Sequence, residues 1–260
     1  MNVIKIDLSN KLNDIELHVF ADEHIGDAQC DLKRLHERID YVKNTPNAYC
    51  ILNGDLVDNA TKTSIGDTYA QEFNPMQQLQ NAVNLFGPIK DKILTISHGN
   101  NENRTYKKEG IDISCLIAQQ LGLSDRYTPT SAMIFLRFGS PKCKHGSDTR
   151  KMCYTIYCLH GSGGCRKEGA KAIRLADMAS IIDADIYIHS HTHLPMIMKQ
   201  GFFRTDTANS AISNVTKLFV NTAANLDYGG FGEGMEFKPS SKDTPVIYLD
   251  GSIKKFEAKL

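Results

Sequence analysis

Three of the nine histidines in this chain lie at alternate positions in one short segment: His189, His191 and His193, just before Pro195. Four other apolar runs also end in polar side chains that can bind a metal ion. The donors after those runs are Asp22 with His24, Asp55, Asn100 and His160. Carboxylate, amide and imidazole donors without a thiolate suit Mn²⁺, Fe or Zn²⁺. The residue types therefore predict a metal site.

The predicted donors share one place in the secondary structure, the carboxyl end of a strand. Ligands of α/β sheets bind beyond the carboxyl ends of the strands. A single Asp or Asn at such a place is usually a turn residue, whereas the same placement repeated five times favours a site. His191 and His193 are candidates for such a site, and Pro195 fixes the backbone after them. His189 would share a strand face with His191, and we predict a structural role for it.

The elements that must position these donors follow from hydrophobic periodicity. In the first half, the predicted strands are 15–21, 48–55 and 92–100, and the predicted helices are 31–44, 75–87 and 111–122. Asn74 and Pro75 mark a helix start, and Gly122 marks a helix end. In the second half, the predicted strands are 131–139, 152–161, 184–190, 217–221 and 244–250, with one helix over 166–183.

This order of elements predicts an α/β fold, because strands alternate with helices first and strand-rich segments follow. Hydrophobic periodicity alone would indicate only an α/β fold, and we expect its architecture to be a four-layer α/β/β/α sandwich of two mixed sheets flanked by helices. We expect residues 1–260 to form a single domain.

The amino-acid composition limits the classes of protein to which this chain can belong. The chain is 41% hydrophobic and 23% charged with zero net charge, which is typical of a globular domain with a sizeable core. No apolar run approaches the roughly 20 residues of a membrane helix, and no signal-peptide pattern is present. The seven scattered cysteines contain no C-x-x-C pair, which favours reduced thiols over disulfides or a zinc site. We predict a cytoplasmic protein with no membrane partner.

The donor motifs together resemble those of the calcineurin-like metallophosphoesterase superfamily. The motifs occur in that family's order over residues 22–193: D-x-H at Asp22 and His24, G-D at Asp55, G-N at Asn100, a later His at His160, and H-x-H at His191 and His193. The resemblance implies a single metallophosphoesterase domain with a two-metal site that hydrolyses phosphoesters by means of a metal-bridging hydroxide.

The resemblance also implies how the ligands are shared. The first metal ion would take Asp22, His24, Asp55 and His193. The second would take Asp55, Asn100, His160 and His191, so that Asp55 bridges the pair. Two metal ions roughly 3.5–4 Å apart need such a short anionic bridge. We expect two divalent ions, with Mn²⁺ favoured and Fe, Zn²⁺ or Ni²⁺ as alternatives.

One position departs from the family pattern. The family usually reads G-N-H-[DE], whereas this chain has Asn101 at the histidine position and keeps Glu102. An amide can donate a hydrogen bond to a phosphate oxygen but cannot act as a general acid near neutral pH. Asn101 and Glu102 are the candidate catalytic residues. Either the leaving group needs little protonation, or a metal-bound water supplies the proton, or another residue does, with His98 and Arg104 as nearby candidates. Ser190 stands in place of the usual Gly before H-x-H.

A basic, glycine-containing segment follows His160. Glycines at 161, 163 and 164 precede cations that would fall on one helix stripe. The candidate substrate-binding residues are Arg166, Lys167 and Lys171, followed by Arg174. Eight Lys and Arg residues lie between Lys142 and Arg174 against two acidic ones. The functional interpretation is a basic wall for substrate phosphates, and the alternative is a flexible turn with a solvated helix face.

Segment 221–234 carries Tyr228 and Phe231 among four glycines. It is either a loop that offers aromatic rings to a base or sugar, or an ordinary β-turn region.

Three classes of function stay open. A metal-dependent phosphoesterase leads, acting on a phosphorylated substrate such as nucleic acid or a nucleotide. Phosphodiesterase or nuclease action is favoured within it, and a nucleotide or small-molecule phosphomonoesterase is the alternative. A non-catalytic metal-binding scaffold is the second class, and a protein phosphatase has no specific feature in its favour.

Overall fold

The computed structural model describes residues 1–62, 64, 68–141, 150–164 and 166–260. Within them the helices are α1 Leu32–Asn44, α2 Pro75–Phe86, α3 Glu102–Glu109, α4 Ile113–Leu121, α5 Glu168–Asp177 and α6 Gly230–Gly234. The strands are β1 Asn2–Asp7, β2 Asp14–Phe20, β3 Ala48–Asn53, β4 Ile93–Ser97, β5 Tyr127–Thr128, β6 Ser131–Phe138, β7 Met152–Leu159, β8 Ile186–His189, β9 Met196–Asp206, β10 Ala211–Asn221, β11 Val246–Asp250 and β12 Phe256–Lys259.

The strands form two mixed sheets. The first sheet has the order β12-β11-β2-β3-β4-β5, and β2 to β5 are parallel neighbours. The second sheet has the order β1-β6-β7-β8-β10-β9, in which β7 is parallel to β8 and β8 is parallel to β10. Parallel neighbours end at the same edge, so each sheet brings several strand ends together.

Apolar side chains fill the space between the sheets and on both outer faces. The inter-sheet core includes Leu17, Ile51, Ile134, Ile156 and Ile188. A second cluster joins the first sheet to α1, α2 and α4, and a third joins the second sheet to α5. The predicted four-layer sandwich of two mixed sheets flanked by helices is confirmed.

Local signals explain the helix boundaries on the first sheet. The Asn74 side chain accepts from the Gln77 N–H, and the Gln77 side chain accepts from the Asn74 N–H, which completes a capping box before Pro75. Asp31 caps α1 by accepting from the Arg34 N–H. Gly122 closes α4 in the left-handed conformation.

The second half differs from the sequence prediction in two places. The helix predicted over 166–183 runs only from Glu168 to Asp177, and a 3-10 turn at Met178–Ser180 follows it. Strands β9 and β10 form an eleven-residue ladder. The outer parts of both strands are solvent-exposed, and so they carry no apolar pattern that would have indicated the hairpin.

Several expectations fall outside the described residues. The basic residues Lys142 and Lys144, the acidic Asp148, and the cysteines Cys143 and Cys165 are among them. Of the helices described, none is long and apolar enough to cross a membrane.

Candidate metal centre

The strand ends of the two sheets meet, and two groups of potential metal ligands result. Group one consists of Asp22, His24 and His193, and group two consists of Asp55, His160 and His191. Within each group the ligand atoms lie within 4.8 Å of one another. Each group combines residues that follow strands of the first sheet with residues that follow strands of the second sheet. The family resemblance implied the same division of these six residues, with Asp55 shared by both sets and Asn100 added to the second.

Five of these residues have a left-handed backbone. The φ angles are 54° at Asp22, 49° at His24, 49° at Asp55, 65° at His191 and 54° at His193. A left-handed conformation costs an L-residue about 1–2 kcal/mol. Such strain clusters at functional sites, where the surroundings enforce it. Its recurrence at D-x-H and H-x-H indicates that both turns are shaped to present their side chains.

A hydrogen bond on the side of the ring away from the other ligand atoms fixes the orientation of His160. Its Nδ1 lies 2.8 Å from the Asn53 carbonyl oxygen, so Nδ1–H donates there and Nε2 is the nitrogen left to bind a proton or a metal ion. Nε2 lies 3.3 Å from Asp55 Oδ2 and 3.1 Å from Asn100 Oδ1. A backbone carbonyl that selects the imidazole tautomer is a usual support for a metal-ligating histidine.

Asn100 lies at the open edge of group two. Its Oδ1 position is 2.5 Å from His191 Nδ1 and 3.2 Å from Asp55 Oδ2. Turning the amide would offer its N–H groups to the same atoms, but the Oδ1-inward orientation gives three kinds of electron-pair donor around one point. A cation at that point satisfies them all, which fits the ligand role implied for Asn100.

Group one contains buried donor atoms that fit a metal ion. Among the described residues, Asp22 Oδ1 and His24 Nε2 are buried without a hydrogen-bond partner. The other oxygen of Asp22 accepts from the His191 N–H at 2.9 Å, and Asp22 Oδ1 lies 3.3 Å from His193 Nε2. Buried polar atoms normally have partners, so these unpartnered atoms match the donor set of a divalent ion.

The charges of group two are strongly coupled. Burial raises the pKa of Asp55, but attraction to His160 outweighs it and holds that pKa below its ordinary value. Burial lowers the pKa of His160, but Asp55 raises it to about 10. Burial and repulsion from His160 lower the pKa of His191 to about 4. A proton and a metal ion therefore compete for His160 Nε2.

Glu102 supports the loops of the site from within. Its Oε1 accepts from the N–H groups of Leu56 and Val57 at 2.7 and 3.2 Å. Its Oε2 accepts from those of Asp55 and Gly99, each at 3.1 Å. The carboxylate is fully buried, and its hydrogen bonds hold the loops after β3 and β4 together. We call this arrangement a clamp.

Asn101 is buried and faces a ligand of group one. Its Nδ2 lies 2.9 Å from His24 Nδ1, and its backbone N–H donates to Asp55 Oδ1 at 2.8 Å. The two alternative proton donors point elsewhere: His98 pairs with Asp112 at 3.2 Å, and Arg104 donates to the Asp58 carbonyl at 2.9 Å.

The predicted basic stripe is not one helix face. Lys167 is the cap residue before α5, and so it does not lie on the helix. Lys171 Nζ donates to the Thr192 carbonyl at 2.7 Å, and Arg174 Nη1 donates to the Ser162 carbonyl at 2.8 Å. These two cations brace the loops that carry the histidines. Arg166 is exposed and lies over the Phe237 ring.

His189 is buried, and its Nδ1 lies 2.9 Å from Asn221 Oδ1. It joins neighbouring strands β8 and β10 and belongs to neither ligand group, in agreement with the structural role predicted for it.

Asn53 is a supporting residue that the sequence analysis did not single out. Its Nδ2 donates to the Ser190 hydroxyl at 2.7 Å and to the Leu159 carbonyl at 3.1 Å, so it ties β3 to the ends of β7 and β8. A polar residue that closes an apolar run was the available signal. Ser190, which replaces a glycine of the family pattern, supplies the matching acceptor.

Comparisons with known proteins give a fold-level likeness. No protein-family model and no curated protein matches the chain. A metallophosphoesterase from Sphaerobacter thermophilus is 11% identical with a TM-score of 0.41, over 91% of this chain and 84% of that one. A predicted phosphoesterase from Streptococcus pneumoniae is 15% identical with a TM-score of 0.38, over 95% of this chain and 90% of that one.

The nuclease MPE of Pseudomonas putida is 10% identical with a TM-score of 0.35, over 94% of this chain and 87% of that one. At such low similarity, function has to be inferred from the side chains of the site.

Proposed function

We propose that this chain is a phosphoester hydrolase that works with two divalent metal ions held at groups one and two. The observation that supports the proposal is the convergence of six carboxylate and imidazole side chains from the ends of strands in two different sheets. Asn100 completes group two, and Asp55 is proposed as the bridge. Mn²⁺ is the first metal to test, followed by Fe, Zn²⁺ and Ni²⁺.

When bound, a pair of divalent ions activates water and neutralises charge on a phosphoryl group. The chain's own residues orient that chemistry. Asn53 sets the tautomer of His160, and Glu102 fixes the loop of Asp55. Asn101 cannot protonate a leaving group, because an amide does not titrate near neutral pH. This favours esters whose leaving groups depart with little protonation.

Phosphodiesterase action, including nuclease action, is the activity proposed first. A phosphomonoesterase for nucleotides or small molecules is the second candidate. One observation favours it: Lys171 and Arg174 bind backbone carbonyls, so the described residues show less of a free basic track for a polyanion than the sequence suggested.

Hydrolysis of bis-p-nitrophenyl phosphate and p-nitrophenyl phosphate tests the proposal. The protein is treated with a chelator, reconstituted with Mn²⁺ and compared with Asp55→Asn, which keeps the side-chain size but weakens the ligand. We expect metal-dependent cleavage that the variant loses. Faster cleavage of the diester supports phosphodiesterase action, and faster cleavage of the monoester supports the second candidate. Absence of turnover with metal bound would contradict the enzyme proposal and favour a scaffold.

A further inference from the structure

We propose that Phe231, Phe237 and Arg166 form an aromatic wall beside group one that stacks on the base of a nucleotide, so that the substrates are phosphoesters of nucleosides. The inference rests on the proposed phosphoesterase function and adds to it a class of substrate.

The two phenylalanines of the wall belong to the segment 225–242, which is attached to group one near both ends. The Asn225 N–H donates to the Asp22 carbonyl at 3.0 Å. The Ser240 hydroxyl donates to the His193 carbonyl at 2.6 Å. The His193 side chain is 37% exposed, whereas that of Asp22 is fully buried. Group one therefore opens to solvent at His193, where this segment borders it.

Ion pairs hold the same segment in place on its outer side. Lys238 pairs with Glu168 at the start of α5, with 2.7 Å between Nζ and Oε1. Lys242 pairs with Asp227 at 2.7 Å and also contacts Asp31, the cap of α1. The segment thus spans from one helix start to the other across the mouth of group one.

The aromatic rings on this segment are partly open to solvent. Phe231 is 44% exposed and Phe237 is 39% exposed. Their ring centroids lie 6.0 Å apart at an interplanar angle of 70°. The Arg166 guanidinium carbon lies 5.2 Å from the Phe237 centroid, within the range of a cation–π contact. Aromatic rings and an arginine plane are the surfaces on which nucleobases stack.

The charges around the wall favour a base over a chain of phosphates. Glu233 and Glu236 are exposed and form no ion pair among the described residues. Their negative charge opposes the approach of a long polyanion, which favours a nucleotide or a short diester over a long nucleic acid, but it does not repel an uncharged base. Arg166 has no carboxylate partner in the described part of the chain. The wall therefore fits a base next to one phosphate at the metal centre.

Calorimetry with two hydrolysis-resistant phosphonates tests the inference on the Mn²⁺-loaded full chain. They are analogues of AMP and of ribose 5-phosphate in which a methylene group replaces the ester oxygen, so the two differ only by the base. We expect the AMP analogue to bind roughly tenfold more tightly, as for one stacked base. Phe237→Leu should reduce that ratio to below about threefold without changing the affinity for the ribose analogue.

Matched variants keep the test decisive. Phe203→Leu makes the same change at a ring that is 82% exposed on the β9–β10 hairpin, and its ratio should stay at the wild-type value. Phe231→Leu serves as the second wall variant if Phe237→Leu does not fold. If both analogues bind equally to the wild type, the wall proposal is wrong. The phosphoesterase proposal still stands in that case if the ribose analogue binds or the diester is cleaved. Binding of neither analogue, with no cleavage, would overturn the phosphoesterase proposal as well.

Discussion

Asn101 lies at a position where the family resemblance implies a histidine, and its contacts indicate a role other than proton donation. It is 2% exposed, so it does not present its amide to solvent, and it lies against the Nδ1 of His24. For His24 Nε2 to bind a metal ion, Nδ1 must carry the ring proton, and the Asn101 amide must be turned so that its Oδ1 accepts from Nδ1–H. Asn101 is therefore better described as a positioning residue than as a proton donor.

Replacing Asn101 by Ala should weaken metal binding at group one. Loss of a hydrogen-bonding support behind a ligating histidine typically costs about 10- to 100-fold in metal affinity or activity. Titration of chelator-treated protein with Mn²⁺ would measure the affinity, and p-nitrophenyl ester hydrolysis would measure the activity. Asn84→Ala, an exposed position on α2, is the control. A variant with normal metal affinity but no activity would instead assign Asn101 a direct role in the reaction.

His160 predicts a measurable release of protons. Asp55 raises the pKa of His160 to about 10, so at pH 8 its imidazole is protonated until a metal ion displaces the proton. Uptake of metal at group two should release close to one proton per chain, and the apparent affinity should rise with pH up to about 10. A pH indicator in weakly buffered solution would record the release.

The corresponding control is His36→Gln, an exposed residue of α1, which should release the same amount as the wild type. His160→Gln should bind metal weakly and release less. Metal binding that is independent of pH between 7 and 9 would contradict the coupling between Asp55 and His160.

At the scale of elements, the site depends on how two loops are clamped. The four N–H groups that Glu102 binds belong to the turn after β3 and the turn after β4. Gly99 is held so closely that an added Cβ would lie 2.1 Å from the Asp55 nitrogen. One buried carboxylate and one glycine therefore set the distance between Asp55 and the Asn100 turn.

Glu102→Gln should destabilise the fold, because one oxygen becomes an NH₂ group that faces backbone N–H donors. A buried donor without an acceptor costs about 1–3 kcal/mol. Urea unfolding would measure the loss, and metal content would report the displaced Asp55 loop. Glu37→Gln, on the exposed face of α1, should change neither. Unchanged stability in Glu102→Gln would mean that the clamp does not hold these turns.

The pH dependence of Glu102 has a definite sign. Burial, with the charge of Asp55, raises the pKa of Glu102 from 4.5 to about 7. The folded chain thus binds this proton more tightly than the unfolded chain, and the contribution of Glu102 to stability falls as pH rises between these values. The slope is at most about 1.4 kcal/mol per pH unit. Chelator-treated wild type should show this slope relative to Glu102→Gln, and parallel curves would contradict it.

Sequence reasoning located the elements whose signals are local. Asp55, Asn100 and His160 each follow a compact apolar run, and the capping residue Asn74 marks the start of α2. Strand β9 gave no such signal, because its outer residues are exposed and only its pairing with β10 defines it. The supporting role of Asn53 depends on its contact with Ser190, 137 positions away in the chain, and no local pattern contains that information.

At the scale of the whole molecule, the two ligand groups join the two sheets. Asp22, Asp55 and Asn100 follow strands of the first sheet, whereas His160 and His193 follow strands of the second. Alternating strands and helices indicated an α/β fold, and the strand-rich second half suggested a second sheet packed on the first. The return of β11 and β12 to the first sheet was not predictable, because partner choice among strands depends on contacts remote in sequence.

Metal ions should therefore stabilise the whole fold. A ligand that binds only the folded chain at 100 times its dissociation constant adds about 2.7 kcal/mol per site. Thermal unfolding with Mn²⁺ and with a chelator would measure a higher Tm in the metal-loaded protein. Asp55→Asn should show a smaller shift, and an equal shift in both proteins would place the binding outside group two.

The division of both ligand groups between the sheets also dictates when metal can be acquired. Asp22 and His193 are separated by most of the first two hundred residues, and they meet only after the sheets have packed face to face. Each complete ligand group therefore requires the segment of His191 and His193 to be in place on the second sheet. If the proposed ions bind, we therefore expect their uptake to follow the packing of the two sheets.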